Sequence, residues 1–344
     1  MSIVNCQLSI VLMEYNNDIN KNCIKESSPL VSILLAVYKP NEEWLVEQLV
    51  SLNEQTYENL ELLIYDDCPE FPVNEEYFKK YITNFNYALI RGEKNRGSNM
   101  AFEELTQLGN GEFFAYCDQD DIWELEKIEL MIDKFEEDVT LTYSDLCIID
   151  ENGIKKHNSL KDIRKRIVYK SGYDLANGLL MANFVTGCAM IVRKDIAIKA
   201  IPFEESLVHD QWIAIIAAIN GKIQLIDRPL VRYRQHSSNQ TGILKTVFDK
   251  DSYYEKRILF FLKRYESLRG RFKNNEELLR IIDNYLAWIN ARRNYFINKT
   301  FRDFLIMIKY RKFHKGSIFL EILLPIIPNN TFKRLIRILQ KGFL

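Results

Sequence analysis

Three aspartates stand within four positions in the middle of the chain, Asp118, Asp120 and Asp121 of the stretch YCDQDDIW. Carboxylates this close repel one another unless a cation or hydrogen-bond donors share their charge. Such hard oxygen ligands suit Mg²⁺ or Mn²⁺, which bind one or two carboxylates and complete their shell with phosphates and water. Helix capping is the alternative, and it explains one or two aspartates but not three. The spacing therefore favours a Mg²⁺ or Mn²⁺ site.

A second acidic pair, Asp66-Asp67, ends the apolar run LELLIY. Taken alone, a cap or an Asx-turn explains it. Its position favours a functional interpretation, because the pair should share a sheet edge with residues 36–38, at the end of another apolar run. A carboxylate there can accept hydrogen bonds from a nucleobase imide or a ribose.

The loop EKNRGSN, residues 93–99, follows Gly92 and contains Gly97, but it has neither GxGxxG nor GxxxxGK. A Rossmann fingerprint and a P-loop are therefore excluded. Arg91 and Arg96 are the residues here whose charge suits a phosphate.

Two further candidates lie near residues 210 and 236. HDQW, residues 209–212, precedes an apolar helical pattern, and Asp210 is explained equally well as an N-cap or as a catalytic carboxylate. His236 lies in RYRQHSSNQTG, residues 232–242, a polar segment after a predicted strand. A loop of this composition can close over a phosphate, although lone histidines are more often structural.

The elements that position these residues alternate between strands and helices. Strands are predicted at Val31–Tyr38, Leu60–Tyr65, Tyr87–Ile90 and Glu112–Cys117, and helices over Glu42–Gln55, over Ser98–Leu108 and from near Trp123. This order predicts an α/β fold with an open, mostly parallel sheet and right-handed crossovers. Ligands of such sheets bind beyond the carboxyl ends of the strands, where both acidic clusters stand.

Three regions are predicted from the change of pattern along the chain. Residues 1–28 form an N-terminal extension, 29–245 the sheet domain, and 246–344 a helical region rich in basic and aromatic residues. Within the second region, shorter strands are predicted at 141–144, 189–192 and 222–226.

Composition excludes several classes of protein. With 47% hydrophobic and 27% charged residues the chain is too apolar to be disordered. Its net charge of −1 argues against nucleic-acid binding by the whole molecule. The six cysteines form no CxxC pair, so neither a zinc site nor a secreted disulfide framework is expected.

No charged n-region precedes the short apolar stretch at residues 8–13, and no apolar run reaches about 18 residues. We therefore expect no signal peptide and no membrane-spanning helix, and a cytoplasmic protein that is soluble or peripheral on the inner face of the cell membrane.

Seven motifs stand in an order typical of one enzyme family: VSILLAVYKP, LLIYDDCPE, NRGSNMAFE, YCDQDDIW, TGCAMIVRKD, HDQW and YRQH. Over roughly residues 30–245 the chain resembles the family-two inverting glycosyltransferases with the A-type fold, and especially rhamnosyltransferase-like bacterial members that build cell-surface polysaccharides. The resemblance implies a nucleotide-binding sheet flanked by helices, a dTDP- or UDP-linked sugar donor, and a glycan or lipid-linked acceptor.

The resemblance also implies residue roles. The residues expected to bind the nucleotide-sugar are Ala36, Tyr38, Asp67, Arg96, Asp118 and Gln119. Asp120, with His236, would bind the metal, and Asp210 would be the general base. Thr186, Gly187 and Trp212 would form the acceptor and sugar pocket.

Two departures from the family pattern affect these expectations. His209 replaces the glutamate that often precedes the base, and Cys68 replaces a glycine after the aspartate pair. The first bears on acceptor choice and the second on the geometry of the base pocket.

Two other functions remain open from the sequence alone. A nucleotidyltransferase shares a similar sheet, but it leaves Asp210 without a role and lacks its basic, glycine-rich loop. A non-catalytic glycan-binding or assembly subunit would have no need of intact Asp118, Asp120 and Asp210.

The last 44 residues predict attachment to a membrane surface. From residue 301 to 344 nine lysines and arginines stand against Asp303 and Glu321, a local charge of +7, among apolar residues at helical spacing. Helices of this kind lie in anionic membrane surfaces. The alternative is that they pack on the sheet domain or on a second subunit of an oligomer.

Overall fold

The computed structural model describes residues 28–164, 167–236, 246–311 and 318–341. The expected N-terminal extension, the polar loop after residue 236, the domain boundary near 245 and the lysines at 312 and 315 lie outside these residues. The described strands are Val31–Val37 (β1), Leu60–Asp66 (β2), Asn86–Arg91 (β3), Phe113–Cys117 (β4), Ile122–Trp123 (β5), Val139–Ile149 (β6), Lys155–His157 (β7), Met190–Arg193 (β8) and Lys222–Arg234 (β9).

The helices occupy the intervals between these strands and most of the chain after residue 249. They are Glu42–Asn53 (α1), Glu76–Tyr81 (α2), Ser98–Leu108 (α3), Lys127–Ile132 (α4), Ala176–Met181 (α5), Lys194–Lys199 (α6), His209–Asn220 (α7), Lys250–Tyr253 (α8), Phe260–Arg271 (α9), Glu276–Asn298 (α10), Phe301–Lys309 (α11), Ile318–Leu323 (α12) and Asn329–Lys341 (α13).

Within the described residues one sheet runs in the order β3-β2-β1-β4-β8-β6-β9-β5, and β7 pairs with β6. The first four strands are parallel, so the carboxyl ends of β2, β1 and β4 lie side by side. The other half is mixed, because β8 is antiparallel to both β4 and β6, whereas β9 is parallel to β6. The predicted α/β fold with a helical C-terminal region is confirmed, and its sheet has one parallel half and one mixed half.

The sheet is covered by helices on both faces. Leu34 of β1 packs with Phe102 of α3 and Trp212 of α7 in one buried cluster. The next residue, Leu35, packs with Leu45 and Leu49 of α1 in another. Alternate side chains of a strand point to opposite faces, which explains why the sequence of β1 is apolar without interruption.

The helix predicted from near Trp123 is wrong. Ile122 and Trp123 form β5, which pairs antiparallel with β9, and the Trp123 amide donates to Ser51 Oγ at 3.0 Å. The Trp123 side chain is buried, and α4 begins four residues later at Lys127. Because no helix starts directly after Asp121, capping does not account for the aspartate cluster.

The C-terminal helices pack in two groups. Tyr265 of α9 and Ile282 of α10 belong to the same buried cluster as α5 and α7, so these helices extend the core of the sheet domain. Phe332 and Ile336 of α13 are instead buried with Tyr253 of α8. In the part of the chain that the structure describes, no helix has the length and apolar character needed to cross a bilayer.

A buried ion pair joins α10 to α12. Arg292 Nε donates to Glu321 Oε2 at 2.5 Å, and Arg292 Nη2 donates to Glu321 Oε1 at 2.8 Å. The same guanidinium donates to the Arg257 carbonyl oxygen and to the Tyr253 hydroxyl. One arginine therefore fixes three elements of the helical region.

Replacing Glu321 with leucine should destabilise the helical region, because it leaves the buried Arg292 charge without its carboxylate. We expect Glu321→Leu to lower the free energy of unfolding by about 3–5 kcal/mol. The control is Asp283→Leu at the exposed Arg269–Asp283 pair, where about 0–1 kcal/mol is expected. Denaturant unfolding of both variants measures the difference, and equal losses would contradict the assigned role of Arg292.

Candidate active site

The ends of β1 and β4 are joined by a reciprocal pair of hydrogen bonds. The Tyr38 amide donates to Gln119 Oε1 at 2.8 Å, and Gln119 Nε2 donates to the Tyr38 carbonyl oxygen at 3.1 Å. The Tyr38 side chain is 43% exposed, and Ala36 is half-buried two residues before it. Gln119 thus positions an accessible aromatic ring at the sheet edge.

The two aspartates at the end of β2 are both buried but have different partners. Asp66 accepts from the amides of Cys68 and Val73 and from Arg91 Nη1 at 2.9 Å, so it is structural. The Cys68 backbone does not adopt a positive φ, so this turn does not need the glycine that the family often has.

Asp67 ties the end of β2 to the loop before α3. Its two carboxylate oxygens accept from the amides of Arg96 at 2.8 Å and Gly97 at 2.7 Å. An ionised carboxylate has about four acceptor sites, so Asp67 can also accept from a ligand. The side chain of Arg96 contacts Glu104 Oε2 at 3.4 Å.

The three clustered aspartates have three different environments. Asp121 is fully buried, and its Oδ1 accepts from the Arg234 amide at 2.9 Å. Among the residues that the structure describes, its Oδ2 has no hydrogen-bond partner. Asp120 Oδ2 lies 2.7 Å from His236 Nε2, and both side chains reach the surface. Asp118 is half-buried and interacts electrostatically with both Asp120 and Asp210.

Burial and mutual repulsion raise the pKa values of two of the clustered aspartates. Burial raises the pKa of Asp118 to about 7, and the charges of Asp120 and Asp210 add to the effect. Burial also raises the pKa of Asp121 well above its ordinary value, and the charges of Asp120 and Asp118 raise it further. A cation placed here would stabilise the ionised carboxylates.

Arg234 fixes the backbone of the aspartate segment, and sequence reasoning missed it. Its side chain is 1% exposed, and its Nε donates to the Asp120 carbonyl oxygen at 2.9 Å. The same guanidinium pairs with Glu47 and stacks 5.3 Å from the centre of the Trp44 ring. The only sequence signal was its place in YRQH, in which His236 drew attention instead.

A buried amine and two thiols lie beneath the aspartates. Lys127 Nζ lies 3.0 Å from the centre of the Trp123 ring and has no hydrogen-bond partner within the described part of the chain. Burial lowers the pKa of this amine to about 7. Burial raises the pKa of the Cys117 and Cys188 thiols well above their ordinary value, so both remain protonated.

One group in the described chain has the donor spacing of a metal site. Donor atoms of Asp118, Asp121 and Cys188 lie within 4.8 Å of one another, but a buried, protonated thiol is a poor ligand for Mg²⁺ or Mn²⁺. Asp120 and His236 form a second, more accessible pair of donors 2.7 Å apart. Carboxylate oxygens of this segment are the donors that suit a hard divalent cation.

Asp210 occupies the opposite side of Asp118. Its carboxylate accepts from Asn183 Nδ2 at 2.9 Å, from the Gly187 amide at 3.1 Å and from the Gln211 amide. Helix α7 begins at His209 with Val208 as its N-cap, so Asp210 is not the cap. Burial raises the pKa of Asp210 to about 6, and its hydrogen bonds with Gln211, Gly187 and Asn183 oppose this effect.

His209 packs behind Asp210. The centres of the His209 and Phe102 rings are 4.1 Å apart, and His209 Nε2 is buried with no hydrogen-bond partner among the described residues. Burial lowers the pKa of His209 to about 3. Asn99 fixes this end of α7, because its Oδ1 accepts from the His209 amide and its Nδ2 donates to the Leu207 carbonyl oxygen. His209 is therefore neutral and fills space.

The three residues expected to form the acceptor pocket are placed differently. Gly187 lies against His209 and Asp210, with half-buried Thr186 before it. Trp212 is not brought to the site: its indole is buried, donates to the Ala200 carbonyl oxygen at 2.7 Å and packs on Phe272. Trp212 is two positions after Asp210 on α7, so its side chain points in another direction, into the core.

The structure thus gathers most of the expected residues at one edge of the sheet. Asp120 lies 2.7 Å from His236, and Asp118 interacts electrostatically with both Asp120 and Asp210. The arrangement offers oxygen and nitrogen donors for a cation and, in Asp210, a carboxylate that can accept a proton.

Comparison with known proteins relates much of this chain to one enzyme family. Residues 32–198 match the family model described as Glycosyl transferase family 2. A dTDP-rhamnosyl transferase of Shigella flexneri is 27% identical over 223 residues, which cover 60% of this chain and 73% of that protein. An Escherichia coli protein named UDP-Glc:alpha-D-GlcNAc-diphosphoundecaprenol beta-1,3-glucosyltransferase is 27% identical over 201 residues, 56% of this chain and 73% of that protein.

A solved structure has a similar fold. The crystal structure of S. aureus TarS 1–349 in complex with UDP-GlcNAc superposes with a TM-score of 0.53 at 14% identity, covering 91% of this chain and 92% of that chain. The similarity extends through the helices that follow the sheet domain.

Replacing Gly187 with alanine should damage the site without unfolding the protein. A Cβ at this position would lie 2.6 Å from His209 Nε2, so the His209 ring must shift, and this ring directly precedes Asp210, whose Cβ would lie 3.5 Å away. Because a displacement of about 1 Å can cost 10²-fold in rate, we expect a loss of that order in sugar transfer. Gly270→Ala is the control, since its Cβ would meet nothing within 4 Å. Equal rates for the two variants would contradict the close packing.

Proposed function

The chain is a glycosyltransferase with a family 2 domain over residues 32–198, and from this premise we propose that it transfers a sugar with inversion from a dTDP- or UDP-linked donor to a growing cell-surface glycan. The observation that carries the proposal is the placement of Asp118 between the Asp120–His236 pair and Asp210. Rhamnose is the proposed sugar, supported by the dTDP-rhamnosyl transferase relative. A lipid-linked acceptor is supported by the relative named for a diphosphoundecaprenol substrate.

Binding of the donor follows from the sheet edge. The exposed Tyr38 ring offers a stacking surface for a nucleobase, held in place by Gln119. Asp67 offers acceptor sites for the base or ribose, and it also orders the loop that carries Arg96. Together they hold the nucleotide with its diphosphate towards Asp118 and Asp120.

Asp118, Asp120 and His236 would hold the Mg²⁺ or Mn²⁺. When bound, such a cation supplies positive charge to the departing nucleotide diphosphate. Arg234 keeps the Asp120 backbone in place for this purpose. The Trp44 ring, 4.8 Å from the His236 ring, supports His236 beside Asp120.

Asp210 is the proposed general base. It removes the proton from the acceptor hydroxyl while that oxygen attacks the anomeric carbon from the face opposite the diphosphate, which inverts the configuration. A pKa of about 6 leaves Asp210 ionised at neutral pH and closer to the operating pH than an ordinary aspartate, which favours proton transfer. Asn183 and the Gly187 amide orient the carboxylate.

Replacing Asp120 with asparagine tests the metal assignment. The change removes a charged ligand at almost constant shape, so metal-dependent donor binding should weaken and transfer should be lost. Titration of UDP and dTDP with and without Mn²⁺ measures the binding. Transfer at the wild-type rate in limiting metal would show that Asp120 is not a ligand.

Replacing Asp210 with asparagine tests the base. Asparagine keeps the shape but cannot take a proton, so turnover should fall by about 10²–10⁴-fold while donor affinity is retained. In the wild type, kcat/KM should fall as pH drops through about 6, because Asp210 becomes protonated. Asn183→Ala removes a hydrogen bond that lowers this pKa, so its acid limb should move to higher pH. A variant Asp210→Asn with normal turnover would exclude the base assignment.

We also propose that the enzyme is cytoplasmic and binds the inner face of the cell membrane through its C-terminal region. The apolar side of α13 is not available, because Phe332 and Ile336 are buried. Phe301 and Phe319 are 73% and 85% exposed on α11 and α12. The exposed basic residues of the same region are Arg302, Lys309, Arg311, Arg334 and Arg337. Aromatic side chains beside basic ones suit an anionic lipid surface.

Flotation with anionic liposomes tests the membrane proposal. Wild type should float at low salt and less at high salt, and the double variant Phe301→Ser, Phe319→Ser should float much less. Ile154→Ser, an exposed apolar residue of the sheet domain, is the control. A truncation at residue 300 is unsuitable, because it uncovers the cluster around Tyr253. Equal flotation of all three proteins, or none, would leave only packing as the role of these helices.

A further inference from the structure

Two exposed aromatic rings stand at the sheet edge where the nucleotide is expected to bind. One is Tyr38, and the other is Phe71, whose side chain is 66% exposed and which the proposed mechanism does not use. One ammonium group connects the two rings. Lys39 Nζ lies 5.4 Å from the centre of the Tyr38 ring and 5.1 Å from the centre of the Phe71 ring. The rings therefore border one small space, and the Lys39 ammonium occupies it.

The turn that carries Phe71 is fixed at both ends by the buried Asp66. The Asp66 carboxylate accepts from the Cys68 amide at 3.1 Å and from the Val73 amide at 2.8 Å. Arg91 donates both to this carboxylate and to the Val73 carbonyl oxygen. Within the turn, the Phe71 amide donates to the Cys68 carbonyl oxygen at 3.3 Å. The exposed position of Phe71 is therefore the product of an ordered turn.

Backbone hydrogen bonding keeps this turn beside the end of β1. The Asp67 amide donates to the Val37 carbonyl oxygen at 2.9 Å, which joins the residue after β2 to the last residue of β1. Gln119 holds the next residue, Tyr38, from the side of β4. Phe71 thus adds a second aromatic surface to the edge that already presents the Tyr38 ring and the Asp67 carboxylate.

Lys39 reaches this space from an uncommon backbone conformation. Its φ is 43°, in the left-handed region that residues other than glycine, asparagine and aspartate rarely adopt. Such conformations cost free energy and are concentrated at binding sites. The attraction between an ammonium and an aromatic ring is weak at an exposed position. A flat ligand that covers the rings can therefore displace the Lys39 side chain.

The position of the two rings suits the nucleobase of the donor rather than its sugar. The diphosphate is assigned to Asp118 and Asp120 after β4, so the base lies on the β1–β2 side of the edge, where the rings stand. A nucleobase has a flat π-face, and its stacking on aromatic side chains is favourable whichever base is bound. The carboxylate of Asp67 then serves the polar edge of the base or the ribose.

We propose that Phe71 is a second aromatic contact of the donor nucleobase, and that Lys39 occupies the base site in the free protein and leaves it when the base enters. The inference rests on the proposed transfer from a nucleotide-sugar, and it adds to that function a binding residue and a competing side chain. Phe71 belongs to the turn in which Cys68 replaces the glycine that is common in the family, so the contact depends on a departure from the family pattern.

The test of Phe71 measures binding of UDP, dTDP and inorganic diphosphate to the full-length protein in the presence of Mg²⁺. Phe71→Ser should weaken both nucleotides about tenfold, because one stacking ring is lost. Its affinity for inorganic diphosphate, which has no base, should equal that of the wild type. Phe248→Ser is the matched control, since Phe248 is 67% exposed and lies two residues before α8. In nuclear magnetic resonance spectra the H6 signal of bound UDP should move upfield by ring currents, and less so in Phe71→Ser.

The test of Lys39 uses uridine and thymidine, which lack phosphates, so that the loss of a positive charge has no direct effect on the ligand. Lys39→Asn removes the ammonium and keeps a residue that tolerates positive φ. Both nucleosides should bind about fivefold more tightly, because they no longer compete with two cation–ring contacts. Lys80→Asn is the control, since Lys80 Nζ lies 4.8 Å from the centre of the Tyr81 ring on α2.

The outcomes separate this inference from the proposed function. If Phe71→Ser binds UDP and dTDP like the wild type, or loses inorganic diphosphate to the same extent, the base contact is excluded while sugar transfer stands. Nucleoside binding by Lys39→Asn that is unchanged or weaker excludes the competition. If the wild type binds neither UDP nor dTDP but another nucleoside diphosphate shows the dependence on Phe71, the aromatic site stands and the donor assignment fails. Absence of binding by every nucleotide would overturn both.

Discussion

The structure depends on how four carboxylates are tolerated at one edge of the sheet. Asp118, Asp120, Asp121 and Asp210 lie close enough for their charges to interact, and burial raises the pKa of three of them. Asp121 accepts a hydrogen bond from the Arg234 amide, and Asp210 accepts from three donors. Asp118 and Asp120 are only half-buried and lie on the side that opens to solvent. The cation proposed at this edge would relieve the repulsion that remains there.

This constraint explains why the mixed half of the sheet is needed. Arg234 stands 113 positions after Asp121 and reaches it only because β9 runs for 13 residues along β6 and then pairs with β5. The pairing places the Arg234 amide on Asp121 and its side chain on the Asp120 carbonyl oxygen. Strand β9 therefore positions the Asp120 segment, and His236 is the second residue after the strand ends.

The sequence predicted the parallel half of the fold well, because β1, β2, β4 and α3 are marked by local patterns of apolar residues. The helix expected at Trp123 failed, because Ile122 and Trp123 are fixed by β9 and Ser51, both distant in the sequence. Trp212 was expected in the acceptor pocket because it is next to the HDQ segment, but its direction from α7 is set by Phe272. Arg234 and Lys127 carried no local signal, since what distinguishes them is burial.

The His209 departure has a physical explanation in the same terms. Its ring is packed among Phe102 and Tyr116, directly before Asp210. A glutamate in this apolar space would either add a fifth charge beside Asp210 or take up a proton. Both Asp118 and Asp210 already have raised pKa values, and another carboxylate charge would raise them further. The neutral His209 ring fills the volume without adding a charge beside Asp210, whose pKa of about 6 results mainly from burial. A change at residue 209 would therefore act on the proposed base through charge rather than through contact with the acceptor.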